Sequence, residues 1–198
     1  MIGIIKMTNK KDFDLDVSAL EKIGLGLLNS HVHFLTGEIE EENIENAIKW
    51  IVYENLICGN SPKTLTMYIN SNGGDLNSAF ALIDVMKQSK CPIRVIGLGS
   101  ICSAAFMIFS SGTKGERYIA NNTSIMCHQY TDGMEGKHHD IKSRFKEVEL
   151  TNTRMIEVLK ENTGLETRTI KSKLLCPTDV WLTAEELIEL GIADNFLE

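Results

Sequence analysis

Between residues 65 and 110 the chain twice runs a strand-like apolar stretch into a glycine-bearing turn and then into a helix-like stretch, and this repetition restricts the fold more than any other feature. The first pass is Leu65-Thr-Met-Tyr-Ile69, the turn Asn70-Ser-Asn-Gly-Gly-Asp75, and then Leu76, Ala79, Phe80 and Ile83 at helical spacing. The second is Ile93-Arg-Val-Ile-Gly-Leu98, a turn at Gly99 and Ser100, and a small apolar run over 102–109 that stops near Gly112. A helix between two strands lets the second strand return parallel to the first. Strands alternating with helices therefore predict an α/β fold, a largely parallel sheet covered by helices.

The flanking segments fit the same plan. Ile44, Ala47, Ile48, Ile51 and Val52 form an amphipathic helix with Glu41, Glu42 and Glu45 toward its N-terminal end, where carboxylates complement the dipole. Short strands are expected over 117–120 and 124–127. Ile141, Phe145, Val148, Met155 and Leu159 keep near-helical spacing along a charged segment that stops at Gly164, a residue suited to the left-handed cap. Thr183-Ala-Glu-Glu186 is a capping box opening a last helix, closed by Gly191 and followed by an apolar run over 192–197. Near the start, Lys10, Lys11, Asp12, Asp14, Asp16 and the glycines Gly24 and Gly26 break any sustained period, so residues 1–30 read as a partly mobile N-terminal arm and 31–198 as one domain.

Several function classes are excluded by composition. Twenty-seven acidic residues against 20 basic ones give a net charge of -7 and a pI near 5.3, the wrong sign for nucleic acid or an anionic membrane. No apolar run approaches the roughly 18 residues of a membrane span, and the first residues lack the apolar core of a secretory signal. A cytoplasmic protein is expected. Cys58, Cys91, Cys102, Cys127 and Cys176 are odd in number, far apart and without a C-x-x-C pair, which argues for buried thiols over a disulfide framework or a zinc site. His31, His33, His138 and His139 lie in the arm or in polar loops without metal-ligand spacing and read as structural or solvated, so no metal is expected.

Ser103 follows a strand and a short turn at the start of a helix, where free N–H groups and the helix dipole stabilise developing negative charge. A serine there is more often a cap than a nucleophile, and the surrounding Ile-Cys-Ser-Ala-Ala is not a G-x-S-x-G elbow. His128 ends the strand Ser124-Ile-Met-Cys-His, where an isolated histidine is ordinarily a surface or packing residue.

In combination these residues say more. Tyr68-Ile-Asn-Ser-Asn-Gly-Gly74, Gly-Ser-Ile-Cys-Ser103, Ser-Gly-Thr-Lys-Gly-Glu-Arg117, Ser-Ile-Met-Cys-His-Gln129 and Asp179-Val-Trp-Leu-Thr-Ala-Glu-Glu186 closely resemble the ClpP family of ATP-dependent protease subunits, in order and at the family's spacing, from about His33 to the C-terminus. The resemblance implies the ClpP/crotonase-type fold of repeated strand-strand-helix units, with residues 129–164 as a projecting handle of a strand and a long helix. It implies Ser103 as nucleophile, His128 as base, Asp179 as the acid that orients it, and an oxyanion hole from the N–H groups of Gly74 and Ala104. It further implies a serine endopeptidase without a cofactor of its own, assembled with itself into heptameric rings stacked as a tetradecamer. Unfolded proteins would reach the chamber from an AAA+ unfoldase of the ClpX, ClpA or ClpC type, which uses the ATP, and the arm would line the axial pore.

Three departures stand out. Asn72 and Tyr130 replace prolines of the family pattern, and Leu-Leu-Cys-Pro-Thr178 replaces the Asp and Arg that join the rings, with about two extra residues. The acid is the least secure assignment for that reason, and Asp140 and Asp132 compete with Asp179. Other readings are a capsid-maturation protease of the same type, a non-catalytic ring member, and a crotonase-type hydratase or isomerase, which uses carboxylates where this chain offers serine and histidine.

Overall fold

The computed structural model describes residues 18–131 and 133–198. Fourteen elements follow one another: α1 (Ala19–Asn29), β1 (Val32–Thr36), α2 (Glu41–Ile57), β2 (Leu65–Ser71), α3 (Leu76–Gln88), β3 (Ile93–Cys102), α4 (Ala104–Ser110), β4 (Arg117–Ile119), β5 (Ser124–Cys127), α5 (His138–Thr163), α6 (Thr167–Lys173), β6 (Val180–Leu182), α7 (Ala184–Glu189) and β7 (Asn195–Phe196). The sheet runs β1-β2-β3-β4-β7, all parallel, with β5 also on β3 and β6 antiparallel on β5. This is the expected α/β fold with a parallel-dominated sheet.

The central strand β3 carries most of the design. Val95, Ile96 and Gly97 pair with β4, whereas Ser100, Ile101 and Cys102 pair with β5, so one long strand reaches two neighbours along the same edge. Between these halves the register with β2 shifts, from Ile69↔Gly97 to Ser71↔Ile101. Gly99 at φ 60 absorbs that bulge, and the Asn70 side chain fills it by accepting the Ser100 N–H at 3.0 Å.

Helix α2 buries Ile44, Ala47 and Ile51 and packs Ile48 against the core, as its apolar spacing predicts, but the buried face is turned away from Val52 toward Trp50 and Glu54. Ile44, Ala47, Trp50, Ile51 and Glu54 are buried, while Val52 is 46% exposed. His33, expected in the arm or a loop, lies in β1 and stacks on Trp50 with ring centroids 5.1 Å apart. Within the expected arm, Ala19–Asn29 is helical despite Gly24 and Gly26, because Ser18 and Glu21 close a capping box; the helix buries no residue. Residues 1–17, with Lys10 to Asp16, lie outside the described residues.

The C-terminal part follows expectation more closely. α5 stops at Gly164 in the left-handed conformation, φ 75, and α7 opens with the Thr183–Glu186 capping box. No strand forms over residues 129–131 or 133–137, where the handle strand was expected. A lone edge segment has no ladder to join within one chain. No helix among the described residues is long and apolar enough to cross a membrane.

Candidate active site

Ser103 lies between β3 and α4 at φ 55 and ψ -120, a backbone conformation rare outside glycine that makes a sharp strand-to-helix elbow. Such strain costs on the order of 1–3 kcal/mol and persists only where the surroundings impose it. Here they do. The Ser103 N–H donates to the Met126 carbonyl at 2.9 Å, and every residue of α4 is buried. The elbow also requires Gly73, since a Cβ there would sit 2.7 Å from Ser103 Cβ and 2.8 Å from the Cys102 carbonyl oxygen.

The neighbouring glycine presents a donor. Gly74 forms a parallel bridge with Ile39, in which Ile39 N–H donates to the Gly73 carbonyl at 2.8 Å and Asp75 N–H to the Ile39 carbonyl at 2.7 Å. Those bonds belong to the residues flanking Gly74, so its own N–H points to the opposite edge. A side chain at Gly74 would run into the Ile39 carbonyl. Ala104, first residue of α4, has an N–H that no helix bond can use. Among the described residues neither N–H has a hydrogen-bond partner.

His128 follows β5 directly. Its Nε2 lies 2.8 Å from Ser103 Oγ, and its Nδ1 lies within hydrogen-bond reach of the Gln129 carbonyl. A carbonyl can only accept, so Nδ1 carries the proton; in the neutral ring Nε2 then holds a lone pair, and the serine hydroxyl donates to it. That tautomer lets imidazole take a proton from Ser103. The Gln129 side chain donates to the Leu175 carbonyl at 3.0 Å, and Tyr130 N–H donates to Asn152 Oδ1 at 3.2 Å, tying this segment to the domain.

Asp179 stands near in register but is not engaged. The β5–β6 ladder pairs Ile125 with Leu182, Met126 with Trp181 and Cys127 with Val180, and one further step sets His128 opposite Asp179. Asp179 is exposed, and among the described residues it makes no hydrogen bond to His128. Of its competitors, Asp140 is exposed in the first turn of α5 and Asp132 lies outside the described residues. The structure thus brings Ser103 and His128 into contact beside the free N–H groups of Gly74 and Ala104.

Sequence reasoning missed two contributors. The Gln129 contact is made by main chain, which leaves no side-chain signal. Arg117, 1% exposed, grips Asp194 through Nε at 2.8 Å and Nη2 at 2.7 Å while Nη1 reaches the Asn162 carbonyl at 3.2 Å, so α5 is moored beside α4. Burial pushes the Asp194 carboxyl up, but the bonds and charge of Arg117, with the Gly115 N–H, outweigh it and hold the group below its ordinary value. Next to His128, Cys127 is buried and its thiol is pushed up to about 12 by desolvation, which leaves it protonated and inert.

A cleft of about 530 Å³ opens beside the glycine turn, lined among others by Glu38, Asn70, Asn72, Gly73, Gly74 and Ser100. The described residues hold no group of three side chains placed to bind a metal ion. The family model for Clp protease matches residues 18–198, which takes in the elbow, the glycine turn and the histidine strand. With that match covering nearly the whole chain, this protein belongs to the Clp protease family, a family of peptidases.

Proposed function

We propose that the chain is the proteolytic subunit of an ATP-dependent, self-compartmentalising protease and hydrolyses peptide bonds as a serine endopeptidase through Ser103. The contact of 2.8 Å between Ser103 Oγ and His128 Nε2, at a strained elbow with two free N–H groups beside it, carries this reading. His128 takes the hydroxyl proton as Oγ attacks the scissile carbonyl, and the N–H groups of Gly74 and Ala104 receive the oxyanion. The imidazolium then protonates the leaving amine. Water, activated by the same ring, hydrolyses the acyl-serine ester and restores the hydroxyl.

The free edge of the glycine turn suits a substrate that adds as an extended strand, bound by its backbone and with little demand on side chains. The reading includes rings of this subunit and an AAA+ unfoldase that spends the ATP. Exposed Ile141, Phe145 and Leu150 on the projecting half of α5 support an assembly that covers them. In that assembly, Asp179 replaces the Gln129 carbonyl as the acceptor for the Nδ1–H of His128 when the chain after His128 pairs with a neighbouring subunit.

Intact mass after a fluorophosphonate probe tests the chemistry. Wild type should gain one adduct, and Ser103→Ala and His128→Ala should gain none; an adduct on Ser103→Ala would end the assignment. Light scattering tests the assembly, for which a monomer at micromolar concentration is the contrary result.

A further inference from the structure

The two N–H groups beside Ser103 are held in different ways. Ala104 opens α4, every residue of which is buried, so the core fixes its N–H. Gly74, at φ 147, follows Gly73, at φ 101, and a pair of glycines has more conformational freedom to lose than any other two residues. Such a turn presents its N–H at one place only where neighbouring groups hold it. A proline at 72, as in the family pattern, would restrict the turn by fixing its own φ; Asn72 does not.

Side chains supply the restraint here. The β2–β3 ladder ends at Ser71↔Ile101. Just beyond it, the Ser71 hydroxyl accepts the Gly73 N–H at 3.1 Å, and the Ser100 hydroxyl donates to Asn72 Oδ1 at 2.6 Å. A carboxamide oxygen only accepts, so the one hydroxyl hydrogen of Ser100 goes to Asn72, and its lone pairs are left for the Cys102 thiol, 3.2 Å away. The bond thus links the glycine turn to the strand that ends in the nucleophile. Ile101 and Cys102, between Ser100 and Ser103, are buried and paired with β5, so this end is stiff. At the other end only Gly73 separates Asn72 from Gly74. Main chain ties the turn to Ile39 on its other side, which leaves the Asn72–Ser100 bond to set the spacing toward Ser103.

We propose that Asn72 and Ser100 are positioning residues for the oxyanion hole, and that the hydrogen bond between their side chains holds the Gly74 N–H at its working distance from Ser103. This role rests on the proteolytic reading and adds to it what sets the hole. Both residues line the cleft beside the turn, so removing the bond leaves the core intact. Its loss lets Gly74 drift while Ser103, His128 and Ala104 stay in place. A displaced donor serves the transition state poorly and the bound substrate almost as well as before, so kcat falls and KM does not.

The full-length protein is compared with its variants for hydrolysis of a fluorogenic peptide, with the urea midpoint and light scattering as checks on fold and assembly. Asn72→Ala and Ser100→Ala should each lower kcat on the order of tenfold, less than the roughly 10²–10³ of a lost donor, with KM, midpoint and particle size unchanged. The double variant should be no slower than either single one, since one bond accounts for both. Asn72→Asp keeps an acceptor and Ser100→Thr keeps the hydroxyl, so both should retain most of kcat. A peptide boronic acid, whose tetrahedral adduct with Ser103 puts an oxygen between the two N–H groups, should lose affinity in parallel with kcat. Unchanged kcat in either alanine variant, additive losses in the double variant, or a lowered midpoint that accompanies the loss overturns the proposal. So does a rise in KM alone, which would make these side chains substrate contacts. A wild type that hydrolyses no peptide and takes no fluorophosphonate adduct instead defeats the proteolytic reading, and this role with it.

Discussion

The two halves of α5 occupy opposite environments. Thr151, Met155, Val158 and Leu159 in its second half are buried against the domain, while Ile141, Phe145 and Leu150 in its first half stand exposed. The candidate active site is divided in the same way. Ser103 and the N–H groups of Gly74 and Ala104 rest on β3, α4 and the bridge to Ile39, all within the core. His128 stands at the margin, where its second nitrogen meets the main-chain carbonyl of Gln129, just beyond the end of β5. On the proposed reading, one chain builds the nucleophile and the oxyanion donors by itself and leaves the setting of the acid to contacts beyond the chain.

The most severe way to break this division is at the core half. Ser103→Ala should lower kcat/KM for a fluorogenic peptide by on the order of 10⁴-fold or more while leaving the urea melting midpoint nearly unchanged. Retained activity would move the nucleophile elsewhere.

Next in size is the mooring of α5 to the core. Arg117→Ala leaves Asp194 charged, partly buried and with only backbone N–H partners, a loss of up to about 3–5 kcal/mol for such pairs, to be read from the urea midpoint. The exposed pair of Lys87 with Glu161 should contribute no more than about 1 kcal/mol. A pH series checks the origin of the effect. The folded carboxyl of Asp194 is depressed, so its stabilising contribution is complete above the unfolded value, about 3.9, and disappears as pH falls through the folded one. In Arg117→Ala the acid-dependent loss should shrink.

A smaller and more local effect is expected at the glycine turn. A Cβ at Gly73 must displace either Ser103 or the turn, and φ 101 disfavours alanine in any case. Displacing the Gly74 donor should cost roughly 10²–10³ in kcat, the usual value of one oxyanion hydrogen bond. An alanine variant with normal kcat would mean that the turn contributes nothing to the reaction.

These residues differ in how visible they were in the sequence, and the reasons are physical. Strand β5 and the start of α3 match their expected bounds, because a period of two and a period near 3.6 are both strong where one face is buried. β6 and α6 escaped notice, being short, with only Ile170 of α6 fully buried. On α2 the spacing pointed to Val52, whereas Trp50 and Glu54 face inward; a buried carboxylate carries no apolar signal, and only its partner His31 explains its place. At the site, Ser103, His128, Gly74 and Ala104 were legible from motif order. What holds them was not, since the Met126 and Gln129 carbonyls belong to the main chain and the positive φ of Ser103 follows from packing around α4.

The finest probe of the division is Phe145, 55% exposed on the projecting half of α5. Its side chain packs little within the chain, so Phe145→Ser should change the stability of the folded subunit by no more than about 0.5 kcal/mol, the range of ordinary surface substitutions. If the exposed half of α5 serves assembly, the same change should shift the particle to smaller species by light scattering and reduce peptide hydrolysis along with it. Asp179→Asn then separates two causes of that reduction. With Asp179 engaged only in the particle, the substitution should slow the assembled wild type and add little to the disassembled Phe145→Ser protein, where the Gln129 carbonyl already holds Nδ1. Equal losses in both backgrounds would mean that Asp179 acts on His128 within the single chain, and the site would belong wholly to the core half.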